Sequence, residues 1–173
     1  MFKVEKFLDI LINKGGYKEV LTGLQNTMII AVVGLLIGIV IGTLIALVKV
    51  MQKDKIITRI LNVICDIYVG FFRGTPMVVQ LLVGYYVLLP SLGIIVSEAT
   101  IVAIVIFGLN SGAYVAEIIR GGIMSIDNGQ FEAGRSLGFN YFQTMIHVII
   151  PQVIKAVLPT LCNEFIVLLK ETS

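Results

Sequence analysis

Four ionisable residues, Arg73, Glu117, Glu164 and Lys170, stand in stretches that are otherwise apolar, with the neutral pair Asn110-Ser111 between them. Ions in such surroundings are costly unless they face a partner or a watery cavity. Such groups serve either a polar cavity or a structural pair. Lys170 can meet a solute carboxylate, and it can equally pair with Glu164 or Glu171. Arg73 precedes Gly74-Thr75-Pro76, so it can fix a broken helix as readily as meet a solute. Glu117 and Arg120 stand at helical spacing and can pair across one turn. Asp66 shares a helix face with Arg73 but is too far along it for a direct pair. Contact with another subunit or a lipid headgroup is expected there.

Bond-breaking chemistry finds no support. His147 is the only histidine. It has no Cys or carboxylate neighbours at ligand spacing, so a packing or interfacial role is expected and no metal site. No Ser-His-Asp or Cys-His arrangement is visible. Cys65 and Cys162 fit no zinc or redox spacing and read as small apolar packing groups. The G-x-x-x-x-G-K-[ST] phosphate loop is absent, so ATP hydrolysis has no seat in this chain. A net charge of +2 does not suggest nucleic acid.

The elements that position these groups are membrane helices. Of 173 residues, 57% are hydrophobic and 14% charged, and mean hydropathy is +0.98. Soluble proteins carry about 25% charged residues. The apolar residues also form long blocks, and backbone in lipid must close its own hydrogen bonds as helix. Met1 to Glu19 mixes both charge signs around a short apolar run, which is not a cleavable signal. Residues 1–19 are therefore read as an extracytoplasmic or interfacial segment, and residues 20–173 as the membrane domain.

Val20 to Val48 is uncharged and long enough to cross. Gly34, Gly38, Gly42 and Ala46 recur every fourth residue, a spacing that admits a second helix closely. The loop Lys49–Arg59 is rich in Lys and Arg and is assigned to the cytoplasm, which puts the N-terminus outside. Ile60 to Pro90 is too long for one straight crossing, and Pro76 predicts a break near Gly74–Pro76. Ala99 to Ala116 forms the third span. Pro159 is expected to open a last helix running to Ser173. That helix would cover about 24 Å and would not finish a crossing of about 30 Å. The fold class is all-α, a polytopic bundle with about four spans, the last incomplete.

Residues 121–151 form a cytoplasmic loop with internal design. Asp127 with Gln130 predicts a capping box, with a helix following through Leu137. Gly138 suits the left-handed residue that ends it. Asn140 with Gln143 predicts a second box, and another helix runs toward Pro151. Phe131, Ala133 and Leu137 give the element an apolar edge.

Within this loop, Glu132-Ala133-Gly134, three residues, Gly138, nine residues, then Val148-Ile149-Ile150-Pro151 resembles the EAA loop of bacterial ABC importer membrane subunits. Gly134 stands where the family has a second Ala, Val148 for its Ile and Ile150 for its Leu. The glycine is expected to loosen the helix by about 0.5–1 kcal/mol. Three more strings resemble the polar amino acid branch, whose substrates include His, Glu, Gln, Arg and opines. They are Phe72-Arg73-Gly74-Thr75-Pro76 with Gln80, Ser111 to Tyr114 through Ala116 to Gly121, and Leu169 to Ser173.

The resemblance implies a type I importer membrane domain in the bacterial inner membrane. Glu132, Ala133, Gly134, Leu137 and Gly138 would couple it to a partner ATPase dimer. Arg73, Asn110, Ser111, Glu117 and Lys170 are candidates for the substrate path. It implies no cofactor bound by this chain, with ATP and Mg on the ATPase. It also implies an external amino-acid-binding protein and a second permease subunit, self or homologue. Family members continue beyond the Lys-acid-Thr-Ser string, so a C-terminally truncated product is expected. The other readings are a passive channel, a secondary transporter or a non-functional fragment.

Overall fold

The structure, a computed structural model, describes residues 15–51, 55–94, 96 and 98–172. Most of the predicted N-terminal segment, the loop residues Lys53 and Asp54, and Ser173 lie outside them. Six helices make up the described residues: α1 (Gly16–Val50), α2 (Ile56–Gly74), α3 (Met77–Ser91), α4 (Ala99–Met124), α5 (Gly129–Ser136) and α6 (Tyr141–Thr172). Three of them, α1, α4 and α6, are long and apolar enough to cross a membrane.

The predicted glycine face of α1 is its buried face. Ala31, Gly34, Gly38, Gly42 and Ala46 are buried, and most of the helix's other apolar side chains are exposed. The partner is α4. A Cβ built on Gly38 would stand 2.6 Å from Ser111 Oγ, and one on Gly42 would stand 2.7 Å from Val115 Cβ. The fit is mutual, because a Cβ on Gly108 or Gly112 would run into Ile37 or Ile41 of α1. Backbones this close gain dispersion contacts that lipid does not match. Ala31, Phe107 and Leu168 bring α1, α4 and α6 together in one buried cluster.

The predicted break is present. α2 ends at Gly74, Thr75 is extended at φ −119° and ψ 141°, and α3 starts after Pro76. Beyond Ala116 the third span continues as helix to Met124, so four residues of the expected polar loop belong to α4.

The last segment differs from expectation. Pro159 does not open a helix; it lies inside α6. Together with Tyr141–Ile149 the helix runs 32 residues, about 48 Å, enough to finish a crossing. Local proline rules gave the wrong boundary because a ring on the exposed side of a long helix costs one hydrogen bond without ending the helix. Two turns widen to π geometry, Gly84–Leu88 and Met145–Ile149. Pro90 and Pro151 each follow two residues after such a turn. An extra residue in a turn shifts the preceding carbonyls, which relieves the ring's usual clash.

Candidate functional site

The predicted helix–glycine–helix element is built by caps. Asn140 and Gln143 form the predicted box: Asn140 N–H donates to Gln143 Oε1 and Gln143 N–H to Asn140 Oδ1, both at 2.9 Å. Gly138 adopts φ +81°. Phe139 N–H reaches Gly134 O at 3.0 Å and Gly138 N–H reaches Arg135 O at 2.9 Å, the paired bonds of a left-handed helix end. The first predicted box is absent. Asn128 is the cap residue of α5 and makes no side-chain cap bond. Asp127 Oδ1 instead accepts from Gly129 N–H at 2.6 Å. Gln130, whose side chain would have closed the box, accepts from Gln152 Nε2 at 3.0 Å. Asp127 satisfies itself locally, and the glutamine is drawn to α6.

All five predicted coupling residues lie on α5 and its end. Glu132, Ala133, Leu137 and Gly138 are exposed, Leu137 at 73%. Gly134 is buried, and a Cβ there would meet Thr144 Oγ1 and Cγ2 at 2.6 Å. The glycine thus permits contact with α6 rather than loosening a helix. Phe131 stacks on Tyr141 with centroids 6.2 Å apart. Together these contacts join α5 to the first turn of α6. Leu137, Tyr141, Phe142 and Met124 leave a strongly exposed apolar surface at this end.

The polar residues of the membrane part fall into three places. The first is the helix break. Gln80 Nε2 donates to Phe72 O, Thr75 O and Thr75 Oγ1 at 2.9, 3.0 and 2.7 Å, two hydrogens shared among three acceptors. Asn110 Nδ2 donates to Phe72 O at 3.1 Å and Gln80 Oε1 at 3.0 Å. The broken end of α2 leaves carbonyls that lipid cannot satisfy, and these two amides satisfy them. Tyr68 adds a bond from its hydroxyl to Leu109 O at 2.5 Å. Asn110, a candidate for the substrate path, is here a strut.

The second place is an ionic junction around Glu117. Lys49 Nζ of α1 lies 2.5 Å from Glu117 Oε1. Arg120 Nη2 lies 2.7 Å and Arg73 Nη1 of α2 3.9 Å from Glu117 Oε2. Lys49 also meets Asp66 at 3.0 Å. The expected external contact for Asp66 is therefore made within the chain. Arg73 also sits over the Tyr114 ring, 5.2 Å from its centroid, a favourable cation–π arrangement. Sequence reasoning found the Glu117–Arg120 pair but missed Lys49, which reads there as a mere loop flank. Its signal was a lysine ending an uncharged span without a helical-spaced acid.

The third place lies between α1, α4 and α6. Ser111 is fully enclosed, and its Oγ makes no hydrogen bond among the described residues. Glu164, 8% exposed, approaches it from α6. Lys170 is exposed farther along α6. The structure thus joins Arg73 with Glu117 and leaves Ser111 enclosed near Glu164, but does not gather all five path candidates into one site.

Residues 34–173 match the family described as binding-protein-dependent transport system inner membrane component. The chain is 37% identical over 160 residues to a putative glutamine transport system permease protein, GlnP, of Rickettsia prowazekii, covering 91% of this chain and 71% of that one. It is 40% identical over 154 residues to the arginine transport system permease protein ArtQ of Bacillus subtilis, covering 89% and 68%. Among solved structures it resembles an amino acid ABC transporter crystallised with histidines, with TM-score 0.81 and 40% identity over 93% of this chain and 72% of the other.

Proposed function

This chain belongs to the inner membrane components of binding-protein-dependent transport systems, and on that premise we propose that it carries amino acids inward, driven by a separate ATPase. It is the permease subunit of an ABC importer. The observation that carries the reading is the family match over residues 34–173, within which the predicted coupling loop takes a capped helix–glycine–helix form. The relatives named for glutamine and arginine transport supply the substrate class.

In this reading Gly129–Ser136 and the Gly138 turn face the cytoplasm, and the N-terminus lies outside, as the Lys- and Arg-rich loop after α1 supports. The ATPase pair binds ATP and Mg and closes. The exposed residues Glu132, Ala133 and Leu137 with Gly138 move with it, and α5 pulls α6 through Gly134 and Thr144. The membrane helices then exchange inward for outward access, a two-state change that ATP favours by differential affinity. A second permease subunit completes the path by two-fold assembly, and an external binding protein delivers the solute. Among the path candidates, the Ser111–Glu164 pair suits a solute ammonium better than the engaged amide of Asn110. Arg73, Glu117 and Lys170 line the inner and far parts of the route.

The test is uptake of labelled glutamine and arginine into proteoliposomes holding this chain with its ATPase and binding protein. ATP-dependent accumulation is expected. Flux by the chain alone without ATP would favour the passive channel.

A further inference from the structure

The Met145–Ile149 turn stands between the coupling element and the membrane part of α6. Ile150 N–H bonds back to Met145 O, five residues away. Pro151 has no N–H to offer the carbonyls of this turn. Proline alone does not explain the widening, because Pro159 sits in the same helix within ordinary α geometry. Side-chain nitrogens gather around the turn. His147 Nδ1 lies 3.0 Å from Gln143 O, and Gln152 Nε2 donates to Val148 O at 2.9 Å.

On one side, α5 is fixed to the start of α6 by the Gly134–Thr144 approach, the Phe131–Tyr141 stack and the Asn140–Gln143 box. On the other side, Val153 and Val157 pack with Ile118, Ile119 and Ile123 of α4. Two packed bodies therefore flank one widened turn, and the Gln152–Gln130 bond at 3.0 Å and Phe131 in the Val153–Val157 cluster bridge it. If Ile150 N–H moves from Met145 O to Ile146 O, the backbone loses one hydrogen bond and gains one. Such a swap conserves the backbone bond count while turning one body against the other by about 100° and about 1.5 Å, and it releases the Gln152–Gln130 bond that spans the turn.

We propose that Met145–Ile149 is a register hinge, switching between π and α geometry as the coupling element moves. The inference rests on the reading of α5 as that element. Widened turns of this kind recur at functional sites, and a switch needs two discrete arrangements of similar energy.

The experiment uses the assembled transporter, with Cys65 and Cys162 replaced by serine and spin labels at Phe142→Cys and Ile166→Cys. Between nucleotide-free and nucleotide-trapped states this distance shifts by several Å, on the order of the displacement of a label by one residue of register. A control pair at Ile154→Cys and Ile166→Cys, both beyond the turn, stays fixed. Deleting His147 removes the extra residue while leaving both flanks in phase. It abolishes uptake of glutamine and arginine while ATPase binding persists. A constant Phe142–Ile166 distance in a transporter that accumulates solute overturns the hinge, as does normal uptake by the deletion variant. Absence of ATP-driven uptake by the unaltered complex would instead refute the importer reading.

Discussion

The seam between α1 and α4 makes a graded prediction. Alanine at Gly34, Gly38 or Gly42 adds the same methyl group to the same helix, but the room differs. At Gly34 the new Cβ meets Phe107 Cβ at 3.3 Å and backbone only beyond that. At Gly38 it meets Ser111 Cβ at 2.7 Å and Gly112 N at 3.1 Å. At Gly42 it meets Val115 Cβ at 2.7 Å and the backbone N of Ala116 at 2.8 Å. Alanine is favoured over glycine inside a helix by about 1 kcal/mol. Overpacking a tight contact costs about 1–3 kcal/mol. Gly34→Ala should therefore be neutral or stabilising. Gly42→Ala should be destabilising by up to about 2 kcal/mol, because backbone on the facing helix must yield. Gly38→Ala falls between them, since the facing backbone N of Gly112 stands at 3.1 Å rather than 2.8 Å and the Ser111 hydroxyl, though not its Cβ, can turn aside. Thermal unfolding of the purified protein in detergent reads the order directly. Equal losses at all three positions, or no loss at Gly42, would refute the argument from close approach.

The ionic junction predicts an asymmetry. Glu117→Gln leaves Lys49, Arg73 and Arg120 facing one another and should lower stability more than Lys49→Met, which leaves Glu117 with Arg120; thermal unfolding at low salt checks this, with a cost of about 1–3 kcal/mol for the glutamine variant. Gln80→Leu strips the broken end of α2 of its main donor and should cost about 1–3 kcal/mol, with faster hydrogen exchange near Gly74–Pro76. Gly134→Ala should depress ATP-driven uptake by clashing with Thr144, and adding Thr144→Ala should restore most of it. Gly138→Ala forces a side chain into φ +81°, a cost of about 1–2 kcal/mol, and should lower solute moved per ATP hydrolysed, with Gly138→Asn less affected.

Features encoded by one short stretch were legible beforehand. The glycine spacing of α1 named its buried face, Pro76 named the break, and Gly138 and Asn140 named the turn between α5 and α6. Each depends on backbone rules that neighbours in the chain determine. Asp127 misled because two local bonds compete for the same side chain, and the one to Gly129 was favoured. Pro159 misled because an intact helix on both sides outweighs one missing bond. The Lys49–Glu117 contact joins residues 68 apart, and no periodicity reports a contact at that range. Asn110 was legible as a polar group at depth, but an amide looks the same in sequence whether it lines a path or ties a strut. Gly134 read as a weakness because Thr144, which requires it, lies beyond the turn.

The ionic junction also bears on how the chain enters its membrane. Synthesis runs from the N-terminus, so Lys49 reaches the bilayer at the trailing edge of α1 long before Glu117 exists. Asp66, which meets that lysine at 3.0 Å in the folded chain, is made well before Glu117. Glu117 arrives with α4, followed three residues later by Arg120, and together they complete the cluster. Asp66 can thus serve Lys49 as a counter-ion before the later helix docks. Removing it should delay membrane integration of nascent chains more than it weakens the finished protein.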